Sequence, residues 1–267
     1  MNSVRSRDGT TIAYDRLGTG PAVILVDGAF CSRSFGPMPK LAPVLARDFT
    51  VFMYDRRGRG DSGDTAPYAV EREIDDLDAL VREAGGSACV YGISSGAALA
   101  LQAAASGLGI TKLALYEAPF MVGAPAHIPP ADHQVQLVRL IAEGRRSDAV
   151  KYYMRDVIGM PGWLVAVFRF LPMWSKLKAV ANSLPYDSAI MGDFSLPTKQ
   201  AGALTMPTLV IAGAKSMPVL RAAAQRLAEV IPGARVRMLP GQTHNVSATV
   251  LAPVLKEFFT CTPDSAA

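Results

Sequence analysis

Six short apolar runs recur along the chain: "PAVILVD" (21–27), "FTVFMYD" (49–55), "SACVYG" (87–92), "ITKLALYE" (110–117), "PTLVIAG" (207–213) and "ARVRML" (234–239). Strands that are apolar throughout, rather than at alternate positions, belong to a sheet covered on both faces. Their alternation with helical patterns makes that sheet mostly parallel. The predicted class is therefore α/β, a mostly parallel twisted sheet flanked by helices. The intervening segments agree. "YAVEREIDDLDALVREAGG" (68–86) has apolar residues at helical spacing, starts after Pro67 and stops at Gly-Gly, so it predicts an amphipathic helix. Residues 94–106 predict a buried small-residue helix and 218–231 a second amphipathic one, while a hairpin is expected around Asp8-Gly9.

The rhythm breaks once. Residues 118–206 contain no convincing strand, although a crossover needs only about a dozen residues. Four helix-like pieces fill the gap: "ADHQVQLVRLIAEG" (131–144), "SDAVKYYMRDVIG" (147–159), "GWLVAVFRFL" (162–171) and "MWSKLKAVANSL" (173–184). A connection this long predicts an inserted helical cap, 121–200, on a core formed by 1–120 and 201–267. The insertion holds Trp163 and Trp174, with Tyr152, Tyr153, Phe168 and Phe170. Such residues form the cap's own small core, and some of them are expected to face the sheet and a substrate. A short polar tail, "TPDSAA", closes the chain.

Composition narrows the classes. The 267 residues are 50% hydrophobic, enough for one large domain with an insertion, and the net charge of +4 is spread among interspersed charges with no long basic block. Nucleic-acid binding is not expected. Three cysteines at unrelated spacings, Cys31, Cys89 and Cys261, argue against a disulfide framework or a metal site. No stretch reaches the ~18 apolar residues of a membrane span, and the N-terminus lacks an export-type apolar region, so a cytoplasmic location is the expectation.

The stretch "VYGISSGAALALQAAASG" (90–107) carries Gly92, Ser94 and Gly96 at the junction of a predicted strand and helix. A serine hydroxyl attacks only if a base takes its proton and donors receive the charge that develops on the substrate. A sharp strand-to-helix turn serves both needs, and it requires glycines where a Cβ would clash. The tripled spacing alone is a weak signal; the strand before it and the helix after it strengthen it.

With these landmarks the chain resembles the α/β-hydrolases from end to end. "YDRRGRGDSG" (54–63) resembles that family's D-x-R-G-x-G-x-S loop, with Asp55, Arg57, Gly58, Gly60 and Ser62 in register. "VDGAFCSRSF" (26–35) sits where the family has its oxyanion loop, "PGQTHNV" (240–246) where it has the catalytic histidine, and 118–206 where it inserts a cap. The resemblance implies Ser94 as nucleophile and His244 as base, with the backbone N–H groups of Ala29 and Ser95 as oxyanion donors. Phe30 is a neighbouring candidate for the hole and for contact with substrate, as are Trp163 and Trp174 for the latter.

Two departures from the family stand out. Asp27-Gly28 replaces the usual His-Gly; Asp27 either hydrogen-bonds its own loop or touches the catalytic centre. In "GAKSMP" (213–218), Ser216 occupies the place where the family's acid is expected. Three carboxylates compete to replace it: Glu117 at the end of "LALYE", Asp193 in "MGDFSLP", and Asp27; a bare Ser-His dyad is the fourth alternative. The resemblance implies a cofactor-free serine hydrolase that cleaves a carboxylic ester, lactone or thioester of a small, mostly apolar molecule through an acyl-enzyme. A lyase or carbon–carbon bond hydrolase on the same scaffold, and a non-catalytic small-ligand receptor, are the alternatives. Oligomeric state is not legible.

Overall fold

The computed structural model describes residues 2–123 and 125–261; the polar tail at 262–267 lies outside them. Among the described residues eight strands form one sheet: β1 (Asn2–Arg5), β2 (Thr11–Leu17), β3 (Ala22–Val26), β4 (Thr50–Tyr54), β5 (Ala88–Ile93), β6 (Ile110–Tyr116), β7 (Thr208–Gly213) and β8 (Arg235–Leu239). Their order is β1-β2-β4-β3-β5-β6-β7-β8, and β2 alone runs against its neighbours. All six apolar runs are strands, and the expected N-terminal hairpin pairs β1 with β2.

The strands are apolar throughout because two separate cores need them. Along β3, Ile24 and Val26 join one buried cluster while Val23 and Leu25 join the other; along β4, Phe52 and Tyr54 face one side and Val51 and Met53 the opposite one. This is the two-residue period of a strand, read out on both faces. On the first face lie α2 (Val70–Glu83), α3 (Ser95–Ala105) and α10 (Pro218–Val230); on the second lie α1 (Met38–Leu45) and α11 (Ala248–Thr260). The end of α2 follows its sequence: Gly85 and Gly86 take φ values of 102° and 93°, and the Gly86 N–H closes on the Val81 carbonyl at 2.9 Å.

Neither α1 nor α11 is predicted by the sequence patterns. Each carries an internal proline, Pro43 and Pro253, which removes a hydrogen bond and weakens the local helical signal. They pack on each other over the sheet, so tertiary burial supplies what propensity lacks.

Between β6 and β7 the chain is helical: α4 (His133–Ala142), α5 (Arg146–Tyr152), α6 (Gly162–Phe168), α7 (Met173–Ala179), α8 (Leu184–Met191) and α9 (Thr198–Gly202). The helix expected over 147–159 is α5 running into a wider turn at Tyr153–Val157, and that expected over 173–184 ends at Ala179 before a tight turn at Ala181–Ser183. The two ends of the insertion meet where Met121 N–H donates to Phe194 O at 2.7 Å. Helix α8 returns the chain onto α3, and so brings the insertion against the strand-to-helix turn at Ser94.

Candidate active site

The site residues gather at the C-terminal ends of the central parallel strands, where ligands bind in open α/β sheets. Ser94 follows β5 with φ 57° and ψ −130°, a conformation that costs a non-glycine residue about 1–3 kcal/mol. The surroundings enforce it. Its N–H donates to Tyr116 O at 2.9 Å, and its carbonyl accepts the Ala97 N–H at 2.9 Å as α3 begins. A Cβ on Gly92 would lie 2.5 Å from Gly96 O, and one on Gly96 would lie 2.4 Å from Val26 O, so both glycines permit the close approach of helix to sheet.

Non-glycine residues with positive φ concentrate here. Among the described residues they are Phe30, Ser94, Glu117 and Phe194, and the first three belong to the site. Glu117, with φ 46°, ends β6 one strand from Ser94, and its N–H is anchored on Ile211 O at 3.0 Å.

Glu117 Oε2 lies 2.7 Å from His244 Nδ1. Its Oε1 accepts the Gly213 N–H at 2.7 Å and the Ser216 hydroxyl. The carboxylate is fully buried, which alone would raise its pKa; the hydrogen bonds from His244, Ser216 and Gly213 outweigh burial and hold it below the usual range. The side chain of His244 remains 47% exposed. Its loop is tied down by Tyr116 Oη donating to Thr243 O at 2.7 Å and by Lys215 N–H donating to Gln242 O at 2.9 Å. Ser94 is half-buried, and among the described residues no hydrogen bond joins its Oγ to His244, a contact that often tightens only with substrate bound.

Ser95 opens α3, so its N–H has no partner within the helix and remains available to an anion. The opposite wall is the loop after β3. A Cβ on Gly28 would stand 2.9 Å from Ser94 Cβ and 3.5 Å from its Oγ, which shows how closely the Gly28–Ala29 backbone borders the serine. Phe30 is half-buried, its ring edge-on to that of Tyr153 at 5.3 Å between centroids, linking this loop to the insertion.

Several sequence expectations need correction. Asp193 is exposed and its Oδ1 accepts the Ser195 N–H at 2.9 Å, a local turn rather than a partner for histidine. Asp27 is buried at the end of β3 and does not bond His244, and its Oδ1 has no hydrogen-bond partner among the described residues. Because Glu117 occupies His244 Nδ1, a bare dyad does not describe the arrangement either. Trp174 is buried in the helical insertion with its indole N–H on Ser147 Oγ at 3.2 Å, a core residue, whereas Trp163 is 71% exposed. The remaining histidines serve the insertion: His127 Nε2 meets Asp156 O at 2.8 Å, and His133 Nε2 meets Gly192 O at 2.9 Å. Two surface clefts, one including Gln136 and Tyr152 and the other Val122 and Gln225, contain none of the site residues.

Sequence reasoning missed a buried ionic cluster behind the site. Arg56 pairs with Glu73 and with Asp187, and Arg59 pairs with the other oxygen of Asp187. The arginine-rich "DRRGRG" was visible, but Asp187 on α8 carries no local signal of its role. No group of metal-ligating side chains occurs among the described residues, and no helix among them is long and apolar enough to cross a membrane.

Residues 23–253 match the model of the alpha/beta hydrolase family. The chain is similar to a solved alpha/beta hydrolase from Sphaerobacter thermophilus at 53% identity, covering 97% of this chain and 100% of that one with a TM-score of 0.91. At lower identity it shares its fold with the enol-lactonase from Burkholderia xenovorans (23%, covering 97% and 100%, TM-score 0.70). It likewise shares it with a meta-cleavage product hydrolase from Pseudomonas fluorescens (17%, covering 97% of each, TM-score 0.67). Among curated proteins nothing matches.

Proposed function

We propose, from the premise that the chain belongs to the alpha/beta hydrolase family, that it is a serine hydrolase acting on a carboxylic ester, lactone or thioester. The observation that carries this reading is the 2.7 Å hydrogen bond that His244 Nδ1–H donates to the fully buried Glu117 carboxylate. It fixes the imidazole with Nδ1 protonated, leaving Nε2 as the base for the Ser94 hydroxyl, and it stabilises the imidazolium formed when that proton arrives.

In this mechanism Ser94 Oγ attacks the acyl carbon while His244 takes its proton. The tetrahedral oxyanion is received by the N–H groups of Ala29 and Ser95. Collapse expels the alcohol or thiol, which takes the proton from His244, and leaves an acyl-Ser94 ester. Water, deprotonated by His244, then attacks that ester, releasing the acid and restoring the serine. The test is a screen of p-nitrophenyl esters, lactones and acyl thioesters with the wild-type enzyme and Ser94→Ala. Turnover that disappears in Ser94→Ala supports the reading, and activity that survives in it contradicts it.

A further inference from the structure

Asp187 lies on α8 of the insertion, is fully buried, and spends both carboxylate oxygens on the rear of the site. Oδ1 accepts from Ser95 Oγ at 2.8 Å and from Arg56 Nη1 at 2.7 Å, and Oδ2 accepts from Arg59 Nη2 at 2.6 Å. Arg59 in turn donates through Nη1 to Gly28 O at 2.6 Å and to Cys31 O at 3.3 Å, and through Nε to Ser183 Oγ at 2.9 Å. Arg56 reaches Asp27 O at 3.3 Å and pairs with Glu73 through both Nε and Nη2. Two guanidinium groups, each with its charge matched by a buried carboxylate, thus grip three carbonyls of the loop after β3.

One of those carbonyls bears on catalysis. Gly28 O and the Ala29 N–H belong to the same peptide unit, and the only cis peptide bond among the described residues is Ala66–Pro67. In a trans unit the carbonyl and the N–H point in opposite directions. The hydrogen bond from Arg59 to Gly28 O therefore turns the Ala29 N–H away from the ionic cluster. A cationic donor on the carbonyl also polarises the peptide and strengthens its N–H as a donor. The second proposed oxyanion donor, the Ser95 N–H, is fixed through its own side chain by the same aspartate. We propose that Asp187, acting through Arg59 and Ser95, is the positioning residue that sets both oxyanion donors, so that the insertion supplies part of the geometry of the reaction centre. The inference rests on the serine-hydrolase reading.

The consequence is specific. A donor kept but misdirected costs transition-state stabilisation without removing the substrate site, so kcat falls while KM does not. Three variants separate this from loss of fold: Asp187→Asn keeps shape and removes charge, Arg59→Lys keeps charge and removes the fork, and Ser95→Ala removes one hydroxyl but keeps the backbone N–H. With p-nitrophenyl acetate as substrate and a trifluoromethyl ketone as a mimic of the tetrahedral oxyanion, folded Asp187→Asn and Arg59→Lys should lose about 10- to 100-fold in kcat. KM should stay within about twofold, and the inhibition constant of the ketone should rise by the same factor as kcat falls. Ser95→Ala should show the same paired loss on a smaller scale. If Asp187→Asn does not fold, Ser95→Ala decides the matter, because it leaves the charges balanced. Folded variants that keep kcat and ketone affinity, or that lose activity only in proportion to unfolded protein, overturn the inference while the wild type still labels on Ser94. A wild type that neither turns over ester nor takes a phosphonate on Ser94 overturns the serine-hydrolase reading and this inference with it.

Discussion

Glu117 at the end of β6 and His244 in the loop after β8 meet at 2.7 Å, with the carboxylate's other oxygen held by Gly213 and by Ser216. Ser216 is the residue standing where the family's acid is expected. In this chain that position supplies a hydroxyl donor to the Glu117 carboxylate, which comes from the neighbouring strand.

Glu117→Gln should keep the fold and the substrate site but lower kcat by about 10³- to 10⁴-fold, because the amide supports the wrong imidazole tautomer and cannot stabilise the imidazolium. Adding Ser216→Asp should recover part of that rate, since the new carboxylate starts beside the vacated one. Steady-state kinetics on both variants check this; a single variant with near wild-type kcat contradicts the role given to Glu117.

Ser216→Ala removes one of the three donors that hold Glu117 below the usual carboxylate range. The pKa of Glu117 should therefore rise, and the acidic limb of the kcat profile should move to higher pH. The loss at neutral pH should be small, about 3- to 10-fold, because His244 and Gly213 still donate. An unchanged profile contradicts the coupling.

Gly28→Ala should fold and lose most activity. Its Cβ would stand 2.9 Å from Ser94 Cβ and 3.1 Å from Ile93 O, so either the loop or the serine must shift. Even a shift of about 1 Å costs on the order of 10²-fold in rate. Circular dichroism and kcat measured on the same preparation separate a displaced site from a damaged fold.

Burial pushes the Asp27 carboxyl up to about 7, with Arg59 and Arg56 only partly opposing it. Unfolded, the same group titrates near 3.9. Between these values the folded chain holds a proton that the unfolded chain has released, so this residue's contribution to stability falls as pH rises through that window. Asp27→Asn removes the titration. Urea unfolding of the two proteins should diverge in favour of the variant by on the order of a few kcal/mol between pH 4 and pH 8. Parallel curves contradict it.

The legible parts of the molecule are those encoded locally. Continuous apolar runs announced strands buried on two faces, and the glycines around Ser94 announced a tight turn between strand and helix. Helices α1 and α11 were hidden because Pro43 and Pro253 interrupt them and only packing on each other and on the sheet sustains them. Glu117 was one candidate among several, because the choice depends on which carboxylate the loop after β8 approaches in three dimensions. Asp187 was invisible for a stronger version of the same reason: its partners Arg56, Arg59 and Ser95 lie far off in sequence, and a single buried acid on a short helix has no periodic signature.

The central claim is that Ser94 is the nucleophile that His244 activates, and covalent labelling tests it most directly. Wild-type protein treated with a fluorophosphonate should gain the mass of one adduct by intact-mass spectrometry, and tandem mapping should place that adduct on Ser94. Ser94→Ala should gain none, and His244→Ala should label more slowly by several orders of magnitude, while His127→Ala and His133→Ala label at the wild-type rate. An adduct mapped to Ser95, or labelling of the wild type no faster than of His244→Ala, would contradict the account.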